Sequence, residues 1–244
     1  MANAALSQPE MMLLHVQGEM LMPLPEGALW WADRQTLIVS DLHFEKGSSY
    51  AARGQMLPPY DTHTTLTRIE ALFDTLLPRR VLSLGDSFHD RAAETRLGED
   101  SVARIQALTE RCDWVWVEGN HDPDPPQFLG GSAAKSVSIG SLVFRHEPTG
   151  ARGEVAGHLH PVAKLAGRNR SVRRKCFVSD GHRLILPSLG AFTGGLNILD
   201  PAFSEAFPEG EAMAFTLGRD QVIAVPSHRL LPDVRRPHGS RWRL

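Results

Sequence analysis

The sequence predicts an α/β protein in which two β-sheets pack face to face with helices outside. Strand and helix patterns alternate over the first half of the chain, and the second half is a run of short strands. The connections are too short to separate a second core, so the whole length, 1–244, is expected to form one domain.

Extended signals open the chain as MMLLHV (11–16), ALWW (28–31) and QTLIVS (35–40), the last running into Asp41. A loop with Pro58 and Pro59 leads to DTHTTLTRIEALFDTLL (61–77), where Leu66, Ile69, Phe73 and Leu76 recur at helical spacing. Asp61 or Thr62 is expected to cap its start, and Pro78 lies just beyond its end. VLSLGD (81–86) reads as a strand, and Val102, Ile105 and Leu108 mark a second helix around 99–111. DWVWVEGN (113–120) is a third strand with Trp114 and Trp116 on one face. After a Pro/Gly-rich loop at 123–131, the signals are strands: SLVFRH, EVAGHLH, CFVSD, RLILPS, LNIL, AMAFTL and QVIAV. Trp30, Trp31, Trp114 and Trp116 are expected in the core.

Hydrophobic residues make up 42% of the chain, enough for a large core, and the mean hydropathy is −0.21. No apolar run approaches the ~20 residues of a membrane span, and the opening stretch lacks a basic segment before an apolar one. No membrane association and no secretory signal are therefore expected. Two cysteines, Cys112 and Cys176, make no disulfide framework and suit a reducing cytoplasm. The net charge of −2 favours no partner, but its distribution is uneven. Lys164, Arg168, Arg170, Arg173, Arg174 and Lys175 form a basic stretch without an acid, and residues 228–244 carry five arginines against Asp233 alone. Taken alone, these are a solvated hairpin and a frayed basic tail.

Polar residues gather where apolar strands stop. LIVS ends in Asp41-Leu42-His43, VLSLG in Asp86 with His89 and Asp90 beyond, and WVWVEG in Asn120-His121-Asp122. LVFR ends in His146, and EVAG in His158-Leu159-His160. If EVAGHLH stays extended, alternation points both of its histidines to one face. In sheets with helical crossovers, ligands collect beyond the carboxyl ends of strands, where several loops converge. Aspartate, asparagine and histidine without cysteine form an oxygen/nitrogen shell suited to Mn, Fe, Zn, Ni or Co. Two Asp, one Asn and four His exceed one tetrahedral ion; with Asp86 shared, each of two ions receives four protein groups. Isolated histidines such as His15, His63, His182 and His228 are assigned no role.

In this order, DLH, GDSFHD, GNHD, a lone strand-end His and GHLH resemble the calcineurin-like metallophosphoesterase superfamily, over roughly residues 37–199. The resemblance implies a two-sheet sandwich flanked by helices on both sides. It assigns one metal to Asp41, His43, Asp86 and His160, and the other to Asp86, Asn120, His146 and His158. The reaction it implies is in-line attack on phosphorus by a hydroxide held between two divalent ions. His121 would act near the scissile phosphate, as a general acid or as a donor to developing charge. Asp122 is expected to accept from the other ring nitrogen of His121. His89 stands where some nuclease members carry a histidine, and reads as a second phosphate-contacting or acid group.

Further stretches, DLHFEKG (41–47), LPPYDT (57–62), RRKCF (173–177) and TGGLN (193–197), resemble the ligase-associated DNA damage response endonuclease (PdeM) branch of that superfamily. That likeness implies a manganese-dependent DNA phosphodiesterase of DNA repair, encoded beside a helicase, an exonuclease and an ATP-dependent DNA ligase. The basic stretch starts just after His160, at the rim of the expected site. Arg168, Arg170, Arg173 and Arg174 there suit the backbone of single-stranded DNA without reading bases. The absence of a long region after residue 225 suggests an open groove and internal cutting. The alternatives are a phosphatase or phosphodiesterase acting on nucleotides or other small phosphoesters, and a noncatalytic scaffold. A scaffold has no need of a complete two-metal shell.

Overall fold

The computed structural model describes residues 12–55, 57–58, 60–168, 170–210 and 212–233. Its first sheet has seven strands in chain order. β1 (Leu14–Val16), β2 (Glu19–Pro23), β3 (Leu29–Trp31) and β4 (Thr36–Val39) pair antiparallel. β5 (Arg80–Leu84), β6 (Asp113–Val117) and β7 (Ser132–Ala134) continue it in parallel. Parallel neighbours need crossovers. The helices α1 (Lys46–Ala52) and α2 (Asp61–Leu76) lie between β4 and β5, and α3 (Glu99–Thr109) between β5 and β6.

The second sheet has nine strands. It comprises β8 (Ser136–Ile139), β9 (Leu142–Arg145), β10 (Glu154–Ala156), β11 (Pro161–Ala166), β12 (Ser171–Ser179), β13 (Leu184–Ile185) and β14 (Leu196–Asn197). The short helix α4 (Ala202–Ala206) precedes β15 (Met213–Leu217) and β16 (Val222–Val225). The path runs β14-β11-β12-β13-β10-β9-β8, with β15 joining through β12 and carrying β16.

Alternation in the central strands explains the layers. Leu37, Val39, Val81, Trp114 and Trp116 pack with Leu66, Ile69 and Phe73 of α2 and Ile105 and Leu108 of α3. Their neighbours Ile38, Leu82, Leu84, Val115 and Val117 face the other way, against Phe144, Val155, Phe177 and Leu184 of the second sheet. A third cluster joins Cys176, Val178 and Ala214 to Phe203, Ala206 and Phe207 at α4. Helix, sheet, sheet and helix follow one another, as expected, and all four tryptophans named above are buried.

Several local expectations are corrected. α2 has no side-chain cap. Asp61 Oδ2 instead accepts from the Gly47 amide (3.0 Å), and Thr62 Oγ1 from the Glu45 amide (2.8 Å), so both brace the start of α1. DWVWVEGN stays extended only to Val117, and EVAGHLH only to Ala156. The sequence patterns also passed over β2, β7, β8, α1 and α4. The basic stretch is an antiparallel hairpin of β11 and β12. Leu230 packs in the third cluster and the Leu231 amide donates to Lys164 O (2.8 Å), so the expected frayed tail is anchored here. Its remainder, 234–244, lies outside the described residues. Among those residues, no helix is long and apolar enough to cross a membrane.

Candidate metal centre

The parallel strands β4, β5 and β6 stop at one edge, and the loops leaving them meet those leaving β9 and β10. The chain turns sharply there. Asp41 (φ 53°), His43 (φ 45°), Asp86 (φ 47°), His158 (φ 67°) and His160 (φ 45°) all have left-handed backbone. They are five of the nine such non-glycine residues among those described. This conformation costs roughly 1–2 kcal/mol per residue, and such outliers cluster at functional sites. The expected alternation of an extended GHLH is therefore overturned. A left-handed turn presents the two histidines and sends them to different clusters.

Close approach fixes two glycines. A Cβ on Gly157 would collide with Ser40 Oγ and crowd Asp41 Oδ2, and one on Gly119 would collide with the Asp86 amide. No larger residue fits between these loops as they stand.

In one cluster Asp41, His43 and His160 offer ligand atoms all within 4.8 Å of one another; in the second, Asp86, His146 and His158 do the same. His160 Nε2 lies 2.9 Å from Asp41 Oδ1 and 3.4 Å from His43 Nε2. In the second, His146 Nε2 lies 3.1 Å from His158 Nδ1, 2.9 Å from Asn120 Oδ1 and 3.4 Å from Asp86 Oδ1. Asp86 joins the two: its other oxygen, Oδ2, is 3.9 Å from His43 Nε2. All seven expected ligands are thus brought together.

These atoms fit a pair of cations better than one another. Asp41 Oδ1 is buried and, though close to His160 Nε2, accepts no hydrogen bond of sound direction. Imidazole nitrogens face each other in both clusters, as donor atoms do when aimed at a common point. Two carboxylates, 0% and 3% exposed, share the pocket, and burying such charge is costly unless a cation balances it. The His146 Nδ1 proton is held by the Leu84 carbonyl (2.9 Å), which turns Nε2 inward. Without metal, burial pulls His146 down, but the Asp86 hydrogen bond and the Asp41 charge outweigh it and push it up to about 9. Burial opposes the ionisation of Asp41 and Asp86, yet their histidine partners hold both below the usual carboxylate range. Burial dominates at His43, which falls to about 3.

His121 and His89 stand beside the clusters. The His121 ring stacks on that of His89 (5.6 Å, 18°) and meets His43 edge-on (5.3 Å). His121 Nδ1 donates to the His89 carbonyl (2.8 Å), leaving Nε2 3.8 Å from Asp86 Oδ2. The expected partner Asp122 does not orient this ring. It is buried, and its Oδ2 accepts from the amides of Ser87 (2.8 Å) and Phe88 (3.1 Å), bracing the loop after β5. His89 Nδ1 lies 3.4 Å from His43 Nδ1. Burial and the Lys46 charge lower His89 to about 4, so it is a neutral imidazole at neutral pH.

The four expected strand-binding arginines separate. Arg173 is engaged by Asp233 (2.6 Å) and the Gly195 carbonyl (2.9 Å). Lys175, on the same face of β12 and half-buried, donates to the carbonyls of Ser188 (2.7 Å) and Gly190 (3.0 Å) and to Thr193 Oγ1 (2.7 Å). Alternation puts Arg174 on the opposite face, and Arg168 and Arg170 flank the exposed hairpin tip. Sequence reasoning also passed over Ser40, whose Oγ donates to Asp41 Oδ2 (2.5 Å). A serine ending an otherwise apolar buried strand was the available signal.

A family model described as calcineurin-like phosphoesterase matches residues 34–232. No curated protein sequence matches the chain. Among solved structures, the chain is similar to the nuclease MPE of Pseudomonas putida, with 26% identity and a TM-score of 0.68, covering 88% of this chain and all of that one. It is also similar to the Escherichia coli phosphoesterase Yfce, with 17% identity and a TM-score of 0.40, over 78% of this chain and 97% of that one. The paired clusters at the strand ends thus sit in a chain matched over most of its length, and the protein belongs to the calcineurin-like phosphoesterase family of hydrolytic enzymes.

Proposed function

We propose that the protein is a two-metal phosphodiesterase that cuts single-stranded DNA internally. The observation that carries this reading is the shared carboxylate: Asp86 sends one oxygen toward each cluster in a chain similar over its length to a nuclease. Asp41, His43, Asp86 and His160 would hold one divalent ion, and Asp86, Asn120, His146 and His158 the other, with manganese the proposed metal. When bound, the pair supplies Lewis acidity and charge neutralisation at phosphorus.

The chain's own residues do the rest. His121 has Nδ1–H tied to the His89 carbonyl, so Nε2 faces the site, and as an imidazolium the ring carries its second, transferable proton there. That proton can pass to the leaving oxygen, or its bond can stabilise the charge growing there. His89, uncharged, suits contact with a phosphate oxygen better than proton donation. Arg168, Arg170 and Arg174 are exposed and would hold flanking backbone. A place in cytoplasmic DNA repair, beside a helicase, an exonuclease and an ATP-dependent ligase, is supported by the motif resemblance.

The test is an assay of chelated protein on circular single-stranded DNA with metals restored singly. Cleavage restored by manganese and abolished in Asp86→Ala supports the reading. Hydrolysis confined to nucleotides or small esters would replace it with a small-molecule phosphodiesterase.

A further inference from the structure

Two cavities flank the metal centre, and their charges are opposite. One, of about 210 Å³, is lined by Asp90, Glu94, Asp122 and Asp124 against the single cation Arg91. The other, of about 370 Å³, is lined by Arg68, Lys175 and Arg219 against Glu26, with Ala191 and Leu217 as apolar walls. One residue links this second cavity to the centre. The Gly190 amide donates to the Asp41 carbonyl (3.2 Å), and its carbonyl accepts from Lys175 Nζ (3.0 Å).

The three cations are deployed differently. Lys175 spends its donors on Ser188, Gly190 and Thr193 and so gives the cavity charge rather than contacts. Arg68 anchors Nη1 on the Leu189 carbonyl (3.1 Å), and its other donors have no partner among the described residues. Arg219 is exposed and likewise has none among them. A rigid guanidinium fork with free donors suits phosphate oxygens.

We infer that the cavity of Arg68, Lys175 and Arg219 seats a backbone phosphate of a nucleic-acid strand running from the metal centre across Gly190. This rests on the proposed function and deepens it by giving the strand a direction. On the first side Asp90 is paired with Arg96 (2.8 Å) and Asp122 is taken up by the Ser87 and Phe88 amides. Glu94 and Asp124 therefore repel a polyanion there, while the other side draws it in with three cations against Glu26. The hairpin tip arginines then become a peripheral contact, and the cavity the one nearest the cut.

The test is binding of a labelled single-stranded oligonucleotide to chelated protein across a salt series, with hydrolysis of an aryl phosphodiester by the metal-loaded protein alongside. Arg219→Glu should weaken oligonucleotide binding about tenfold at low salt. It should also reduce the slope of log affinity against log salt by ~0.7, the share of one phosphate contact on a single strand. Small-ester hydrolysis should be unchanged, and Glu94→Gln, which removes one of the repelling charges, should strengthen oligonucleotide binding modestly at low salt. Wild-type affinity and slope in Arg219→Glu would overturn the inference while leaving the proposed function standing. Equal losses of DNA binding and small-ester turnover in both Arg219→Glu and Arg219→Gln would also overturn it, since the cation would then act on the centre itself. Failure of the wild type to bind single strands, with small-ester hydrolysis retained, would remove the single-strand reading and this seat together.

Discussion

The sharing of Asp86 makes metal-linked stability a quantitative test of the site. Asp86 Oδ1 lies 3.4 Å from His146 Nε2 and Oδ2 3.9 Å from His43 Nε2, so removing this side chain strips one ligand from each cluster. His43→Ala strips a ligand from one cluster only. A metal held at a hundred times its dissociation constant stabilises the folded chain by about 2.7 kcal/mol per site. At 2–4 °C per kcal/mol for a chain of this size, one site raises the melting temperature by roughly 5–11 °C and two by roughly 11–22 °C. Calorimetric melting of chelated protein, with and without excess manganese, reads this directly. The wild type should show the full two-site shift, His43→Ala about half, and Asp86→Ala close to none. A half-sized shift in Asp86→Ala, equal to that in His43→Ala, would refute the shared carboxylate.

Metal uptake should release protons, because His146 at about 9 is protonated at neutral pH and must lose its Nε2 proton to become a ligand. Apparent metal affinity therefore rises with pH and levels off above about 9; titration calorimetry in buffers of different ionisation enthalpy checks it, and a pH-independent affinity would contradict it. His121→Ala should lower kcat about 10²–10⁴-fold while two metals remain bound, as elemental analysis and turnover together would show. Asp122→Ala leaves the Ser87 and Phe88 amides unpaired in a buried loop. It should cost about 1–3 kcal/mol in denaturant unfolding of the metal-free protein, against little change if the brace is unimportant.

What the sequence made legible was the place of the site. Asp41, Asp86, Asn120, His146 and His158 each follow an apolar run that stops abruptly, and parallel pairing forces β4, β5 and β6 to stop at the same edge. What escaped depends on contacts distant in sequence. Asp61 and Thr62 fit a helix cap by local pattern, but the amides of Gly47 and Glu45, across a loop, claim them. Asp122 sits beside His121 in sequence, yet the better partners for its buried oxygen are two amides after β5. GHLH looked like a strand because Val155 and Ala156 precede it; instead His158 and His160 turn left-handed, and the Gly157 backbone lies so close to Ser40 that no side chain fits there. Arg173 looked unopposed because its partner Asp233 arrives from the far end of the chain.

The most direct measurement is anomalous diffraction from crystals grown with manganese. Two peaks ~3.5–4 Å apart, each within coordination distance of a different Asp86 oxygen, are the expected result. A single peak, or two peaks of which one has no Asp86 oxygen beside it, would contradict the account.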